Sequence, residues 1–189
     1  MKRIILLFLA SIIFGCSTNL ENINKNYALL PEKGVVVFSF TSSGECGYAL
    51  YVDIRSSDGK EKHSIGMQDL FEERDWKRKT NNCDADDKDF AGTLKAISLS
   101  EGTYEIYKLS GIHQYHAFES TDKLSIKFNV KGNNVTYIGN AHFIIDKKTY
   151  NFAISDKSKR DIRLFEKKYP NVRKDYIIDI LETVIFQSA

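Results

Sequence analysis

The chain has 189 residues, 27 basic and 25 acidic side chains and a formal net charge of +2. Both excess cations, Lys2 and Arg3, stand at the N-terminus, so the rest of the chain sums to zero and has no global attraction for nucleic acid or anionic lipid head groups. With 12 Phe, 10 Tyr and only two Pro the composition is that of a globular β-rich domain and excludes a disordered chain, and the length suits one domain with a sizeable core.

In chain order, the basic start is followed by an apolar run from Ile4 to Phe14, interrupted only by Ser11. A membrane-crossing helix needs roughly 20 apolar residues; this run is too short, and suits the apolar stretch of a secretory signal of about 7 to 15 residues. Ile13-Phe14-Gly15-Cys16 resembles the lipobox of bacterial lipoprotein precursors, with an aliphatic residue three positions before the cysteine and a small one directly before it. Phe14 departs from that pattern, which usually has a smaller residue there. The resemblance implies removal of residues 1–15 and acylation of Cys16. Each buried methylene contributes about 0.8 kcal/mol, so three acyl chains would anchor the protein firmly. Ordinary secretion and an uncleaved anchor are the alternatives. Ser17 stands where some lipoproteins carry a retention aspartate, so the resemblance favours the outer membrane, at its periplasmic face or the cell surface.

With Cys16 lipidated in an oxidising compartment, Cys46 and Cys83 remain and read as one disulfide. It would close a loop of about 38 residues, for which the chain-entropy estimate is roughly 4 kcal/mol. Two buried free thiols, or a reactive one, are the alternatives.

Residues 16–32 are polar and Asn-rich and predict a flexible tether. Residues 33–189 then form one domain. Gly34 to Phe40 (GVVVFSF) and Tyr48 to Arg55 (YALYVDIR) have strand chemistry, and the second leads through Ser56-Ser57-Asp58-Gly59 into a hairpin with Asp58 and Gly59 at positive φ. Residues 67–88 break the β pattern with a dense charge run. Further strands follow around Leu94 to Leu99, Thr103 to Leu109, a cleanly alternating Leu124 to Val130, and VTYIGNAHFII and TYNFAIS. From Asp156, read as the N-cap, Ile162, Phe165 and Tyr169 predict a helix ending at Pro170, and the segment from Val172 onward is read as a second helix. The sum is a mainly β fold, an antiparallel β-sandwich with one or two C-terminal helices.

LSEGTYEIYKL, VTYIGNAHF and DIRLFEKKYPN together resemble a loose group of bacterial lipoproteins whose first half is similar to transthyretin-like and carboxypeptidase-regulatory-like sandwiches. The resemblance matches Gly102, Tyr104, Gly139 and Pro170 as structural positions, and carries over no catalytic residue and no cofactor.

Asp84, Asp86 and Asp89, with Asp87, are the best cation candidate because calcium takes six to eight oxygens. The order of an EF-hand loop fails, however, since Lys88 and Asp89 stand at ligand and glycine positions. A solvated acidic turn is the simpler reading. His113 and His116 share a metal only if the chain bends between them, because residues three apart on a strand face opposite ways. No nucleophile elbow, phosphate loop or dinucleotide fingerprint occurs. Seven strand tyrosines, Tyr48, Tyr51, Tyr104, Tyr107, Tyr115, Tyr137 and Tyr150, offer either a contact face or sheet edges with hydroxyls in water. The sequence therefore predicts a lipid-anchored envelope binding or structural module that acts through contacts with another envelope protein. A small envelope hydrolase or metal-dependent enzyme is the alternative.

Overall fold

The computed structural model describes residues 21–44, 48–68, 91–113, 116–120, 124–146, 149–172, 175–179 and 186–188. Cys16, Cys46 and Cys83, and with them the acylation and disulfide expectations, lie outside those residues, as do Asp84, Asp86, Asp87 and Asp89.

The described chain is mainly β, with two sheets and one helix. Its strands are β1 (Glu21–Asn22), β2 (Lys33–Gly44), β3 (Tyr48–Ser56), β4 (Lys62–Gln68), β5 (Ala91–Ser100), β6 (Gly102–His113), β7 (His116–Glu119), β8 (Ile126–Val130), β9 (Val135–Asp146) and β10 (Thr149–Ser155). Helix α1 (Ser158–Lys168) follows, then β11 (Tyr176–Ile178) and β12 (Phe186–Ser188). A seven-stranded sheet runs β1-β5-β2-β9-β10-β12, with β11 on β9, and a five-stranded sheet runs β4-β3-β6-β7, with β8 on β6. The chain passes from one sheet to the other at Glu101, between β5 and β6.

The pairing of β2 with β9 is parallel, as is that of β11 with β9, so the larger sheet is mixed where the sequence predicts an antiparallel one. The hydrophobic run of β2 is the sign of this. A strand buried on both faces reads as continuous rather than alternating. Val36, Phe38 and Phe40 enter a core shared by the two sheets, while Val35 and Val37 enter a second core on the other face, with Leu94, Tyr137 and Phe165. Among the described residues, an apolar space of about 10 Å³ in the shared core, lined by Val36, Phe38, Ile54, Phe128 and Ile138, is no bigger than one water.

Several expectations are corrected. Within the predicted tether, Glu21–Asn22 pairs with β5 and Ile23 and Tyr27 are buried in the second core, because the outer face of the larger sheet needs an apolar cover. At the hairpin Gly59 adopts φ 73°, whereas Asp58 does not share the positive φ and instead accepts from the Ser56 hydroxyl at 2.6 Å and the Lys60 N–H at 3.1 Å. Lys157 is the N-cap of α1, Asp161 and Phe165 are its buried positions, and Ile162 is half-buried. Residues 176–178, read as helix, form β11: β10 leaves the first residues of β9 without a neighbour on that side, and a short strand fills the gap. By contrast β8 alternates buried and exposed as its sequence predicts.

Candidate functional site

The polar residues of β2 and β9 gather on the helix side of the larger sheet. Odd positions of β2 face that side: Val35 and Val37 lie under α1, and Ser39, Thr41 and Ser43 continue the row as buried hydroxyls. On β9, Val135 and Tyr137 face the same way, and strict alternation would turn Asn140 and His142 into the shared core. The register shift prevents this. Val37 pairs with Tyr137 and Ser39 with Asn140, so Ile138 and Gly139 together oppose Phe38 as a bulge. Gly139 has φ 115°, and a Cβ there would lie 2.9 Å from Ile154 Cγ2. Beyond the bulge Asn140 and His142 face α1, while Ala141 and Phe143 enter the shared core.

Asp161, in the first turn of α1, has no exposed surface. Its carboxylate accepts from the Tyr137 hydroxyl at 2.7 Å and from Arg160 Nε at 2.7 Å. The Ser39 hydroxyl has one proton for Asp161 Oδ2 at 2.6 Å or Asn140 Oδ1 at 2.7 Å, and the charged oxygen is the stronger acceptor. Arg160 Nη2 donates to Ser39 Oγ at 3.0 Å and to Asn140 Oδ1 at 2.9 Å, and the Lys157 N–H donates to the Tyr137 oxygen at 3.2 Å. Burial first, and then the Asp161 carboxylate, push the Tyr137 hydroxyl far above its ordinary range, so it stays protonated as a donor. Thr41 Oγ1 lies 3.1 Å from Asn140 Oδ1 and 2.8 Å from His142 Nδ1, and Ser43 Oγ lies 3.2 Å from His142 Nε2.

Beside this network a cleft of about 340 Å³ opens, lined by Thr41, Asn140, His142, Ile144, Ala153, Ser155, Lys157 and Arg160. Its volume falls in the range of small-ligand pockets, roughly 300 to 1,000 Å³. It holds a fixed guanidinium, an ammonium and a carboxamide against two apolar side chains, which suits recognition of a polar or charged group. Ser43 and His142 have the spacing of a nucleophile and its base, with the ring's other nitrogen against the Thr41 hydroxyl, but Ser43 is fully buried.

The structure places the other sequence candidates elsewhere. His113 and His116 are opposite partners of the antiparallel β6–β7 pairing. His63 is buried beside Glu61, with 3.5 Å between Nε2 and Oε2. Among the described residues no group of three or more His, Cys, Asp and Glu is placed to hold a metal ion, and no helix is long and apolar enough to cross a membrane. Of the strand tyrosines, Tyr104 and Tyr137 are core residues whose hydroxyls are bonded inside the protein, and Tyr51 and Tyr107 are half-buried. Sequence reasoning missed the whole cleft. Its one local signal was Gly139, a glycine inside a strand, which marks a bulge.

No family model matches the chain, and no curated protein matches its sequence. Among solved structures, a leucine-rich repeat protein from Bacteroides thetaiotaomicron is similar at 18% identity and a TM-score of 0.34. The likeness covers 61% of this chain and 14% of that one, and carries no argument about fold or function.

Proposed function

We propose that this chain is a lipid-anchored envelope protein whose folded body is a binding module rather than an enzyme. Acylated Cys16 would hold it on the outer membrane, and the helix-side cleft would receive a group of another envelope protein. The observation that supports this most is the cleft itself: Arg160 and Asn140 are held in place by Asp161, Ser39 and Thr41 before any ligand arrives. Such preorganisation reduces the ordering entropy that binding must overcome. In this reading the two sheets close as a β-sandwich of the transthyretin or immunoglobulin-like kind, with Cys46 bonded to Cys83.

Photo-crosslinking in the native cell tests the cleft, with the crosslinker at Ile144 or Ser155 and a control at Lys127 on the five-stranded sheet. A discrete envelope protein captured from the cleft positions alone is the expected outcome, and capture from Lys127 alone overturns the reading. The anchor has its own test. Cys16→Ser is expected to accumulate as precursor or to leave the membrane, whereas wild-type protein found soluble and unacylated would refute it.

The Ser43–His142 contact is the observation that favours the hydrolase reading. Fluorophosphonate labelling of the wild-type chain, abolished by Ser43→Ala, would establish that reading in place of the binding module.

A further inference from the structure

Alternation builds the face of the five-stranded sheet that is turned away from the shared core. Leu50, Val52 and Ile54 of β3 enter that core, so Tyr51, Asp53 and Arg55 point outward, and on β4 the burial of His63 and Ile65 turns Ser64 and Gly66 the same way. The register sets Tyr51 between Gly66 and Ser110, with Ala49, Ile112 and Ala117 in the row on one side of it and Ser64, Asp53 and Lys108 in the row on the other. The Tyr51 ring leans over β4 rather than standing off the sheet: a Cβ at Gly66 would meet its Cε1 at 2.7 Å and its Cδ1 at 2.8 Å. Ile112, 47% exposed, extends an apolar floor beside the ring. Among the described residues no helix covers this face, since α1 packs on the larger sheet.

The border of that floor is polar and carries both signs. Lys108 pairs with Glu119 at 2.5 Å, and Arg55 lies 4.8 Å over the centre of the Tyr107 ring while its Nε donates to Glu105 at 2.5 Å. Groups paired in this way set up no strong field of one sign, which suits an uncharged ligand better than an ion. The floor is also small. Diagonal neighbours on a sheet lie about 7 to 8 Å apart, so Tyr51 and Ile112 together span one or two sugar rings, whereas a stable protein partner needs about 800 Å² on each side with an apolar centre. A neutral pyranose matches both properties. It has a flat face of C–H groups that rests on an aromatic ring, and a rim of hydroxyls that form charge-assisted hydrogen bonds with carboxylates and ammonium groups.

We infer that this face binds a neutral glycan, with the C–H face of one pyranose on Tyr51 and Ile112 and its hydroxyls bonded to Asp53 and to the Lys108–Glu119 pair. The inference is independent of the helix-side cleft, which belongs to the other sheet, on its face away from the shared core.

The test is isothermal titration calorimetry of the full-length chain, as the cell produces it, in a polyoxyethylene detergent free of sugar. Cellohexaose, maltohexaose, xylohexaose and N-acetylchitohexaose are the neutral probes, and hexagalacturonate is the charged comparator of equal length. At least one neutral hexasaccharide should bind saturably at submillimolar concentration, with hexagalacturonate weaker. Tyr51→Ala should weaken that binding about tenfold, in line with the loss of one aromatic contact, and Tyr51→Phe should keep it. Ile112→Asn, at an exposed position, should also weaken it while leaving the melting temperature in place. The inference is overturned if none of the neutral probes binds at millimolar concentration, if hexagalacturonate binds more tightly than all of them, or if both Tyr51→Ala and Ile112→Asn retain wild-type affinity. A protein crosslinked at Ser110 in the native cell, with no hexasaccharide bound, would give the face to a protein partner and likewise overturn it. Failure at this face leaves the cleft reading standing, and failure of the cleft leaves this one.

Discussion

Asp161 is the residue on which most of the polar network depends, because Tyr137, Ser39 and Arg160 all meet at one fully buried carboxylate. Removing one partner of a buried ion pair leaves an uncompensated charge, which typically costs about 3 to 5 kcal/mol. Asp161→Ala is therefore expected to lower the urea-unfolding free energy by that amount, and a loss under 1 kcal/mol would show that the network is not what docks α1. Tyr137→Phe removes the bond to Asp161 and the one from the Lys157 N–H but keeps the ring, so its loss should be smaller, about 1 to 3 kcal/mol. Gly139→Ala tests the bulge, since it places a Cβ 2.9 Å from Ile154 at a backbone angle that alanine rarely adopts. It should destabilise the chain and shift the Asn140 amide resonance, and an unchanged Asn140 signal would argue against the bulge as the device that aims this side chain.

At the scale of elements, two attachments stand out. Helix α1 is held to the larger sheet by Phe165, which packs with Tyr169 and Tyr176 in the second core. Phe165→Ala should cost about 3 to 5 kcal/mol by calorimetry or denaturation, as for other buried aromatics. At the five-stranded sheet, Glu61, just before β4, is joined to β6 by the Tyr104 hydroxyl, which donates to Oε2 at 2.7 Å. Burial pushes the Glu61 carboxyl up, but hydrogen bonds from Ser100, Tyr104 and His63 outweigh it and hold the group below its ordinary value. A depressed folded-state value means the contribution is full above the unfolded carboxylate range, near pH 4 to 5, and is lost as pH falls through the folded value. The unfolding free energy should decline below about pH 4.5, with a shallower decline in Glu61→Gln. Equal slopes for the two proteins would remove Glu61 from the account.

For the molecule as a whole, the pairing of β2 with β9 sets the folding problem. Val35 meets Val135 and Gly44 meets Ile145, so the central strands of the larger sheet join distant parts of the chain in parallel. Such long-range pairings incur loop-closure entropy before any contact compensates it, and domains dominated by them fold in roughly milliseconds to seconds. Stopped-flow refolding of the full chain should fall in that range, and a microsecond phase carrying the whole amplitude would contradict it. A chain ending before β9 should not fold, because the larger sheet would lose the strand on which β2, β10 and β11 all depend.

The β class, the alternation of β8, the turn at Gly59 and the place of α1 are legible in the sequence alone, because each depends on local periodicity or on local backbone preference. The sequence also carries the lipobox resemblance of Cys16. The parallel direction of β2 against β9, the docking of Ile23 and Tyr27 and the strand at Tyr176–Ile178 were decided by tertiary structure. A hydrophobic run says that both faces are covered, not which strand covers them or which way it points. The cleft belongs to the same class. Ser39, Thr41, Asn140 and Arg160 are ordinary polar residues far apart in the chain, and only the register of two strands and a one-residue bulge bring them together.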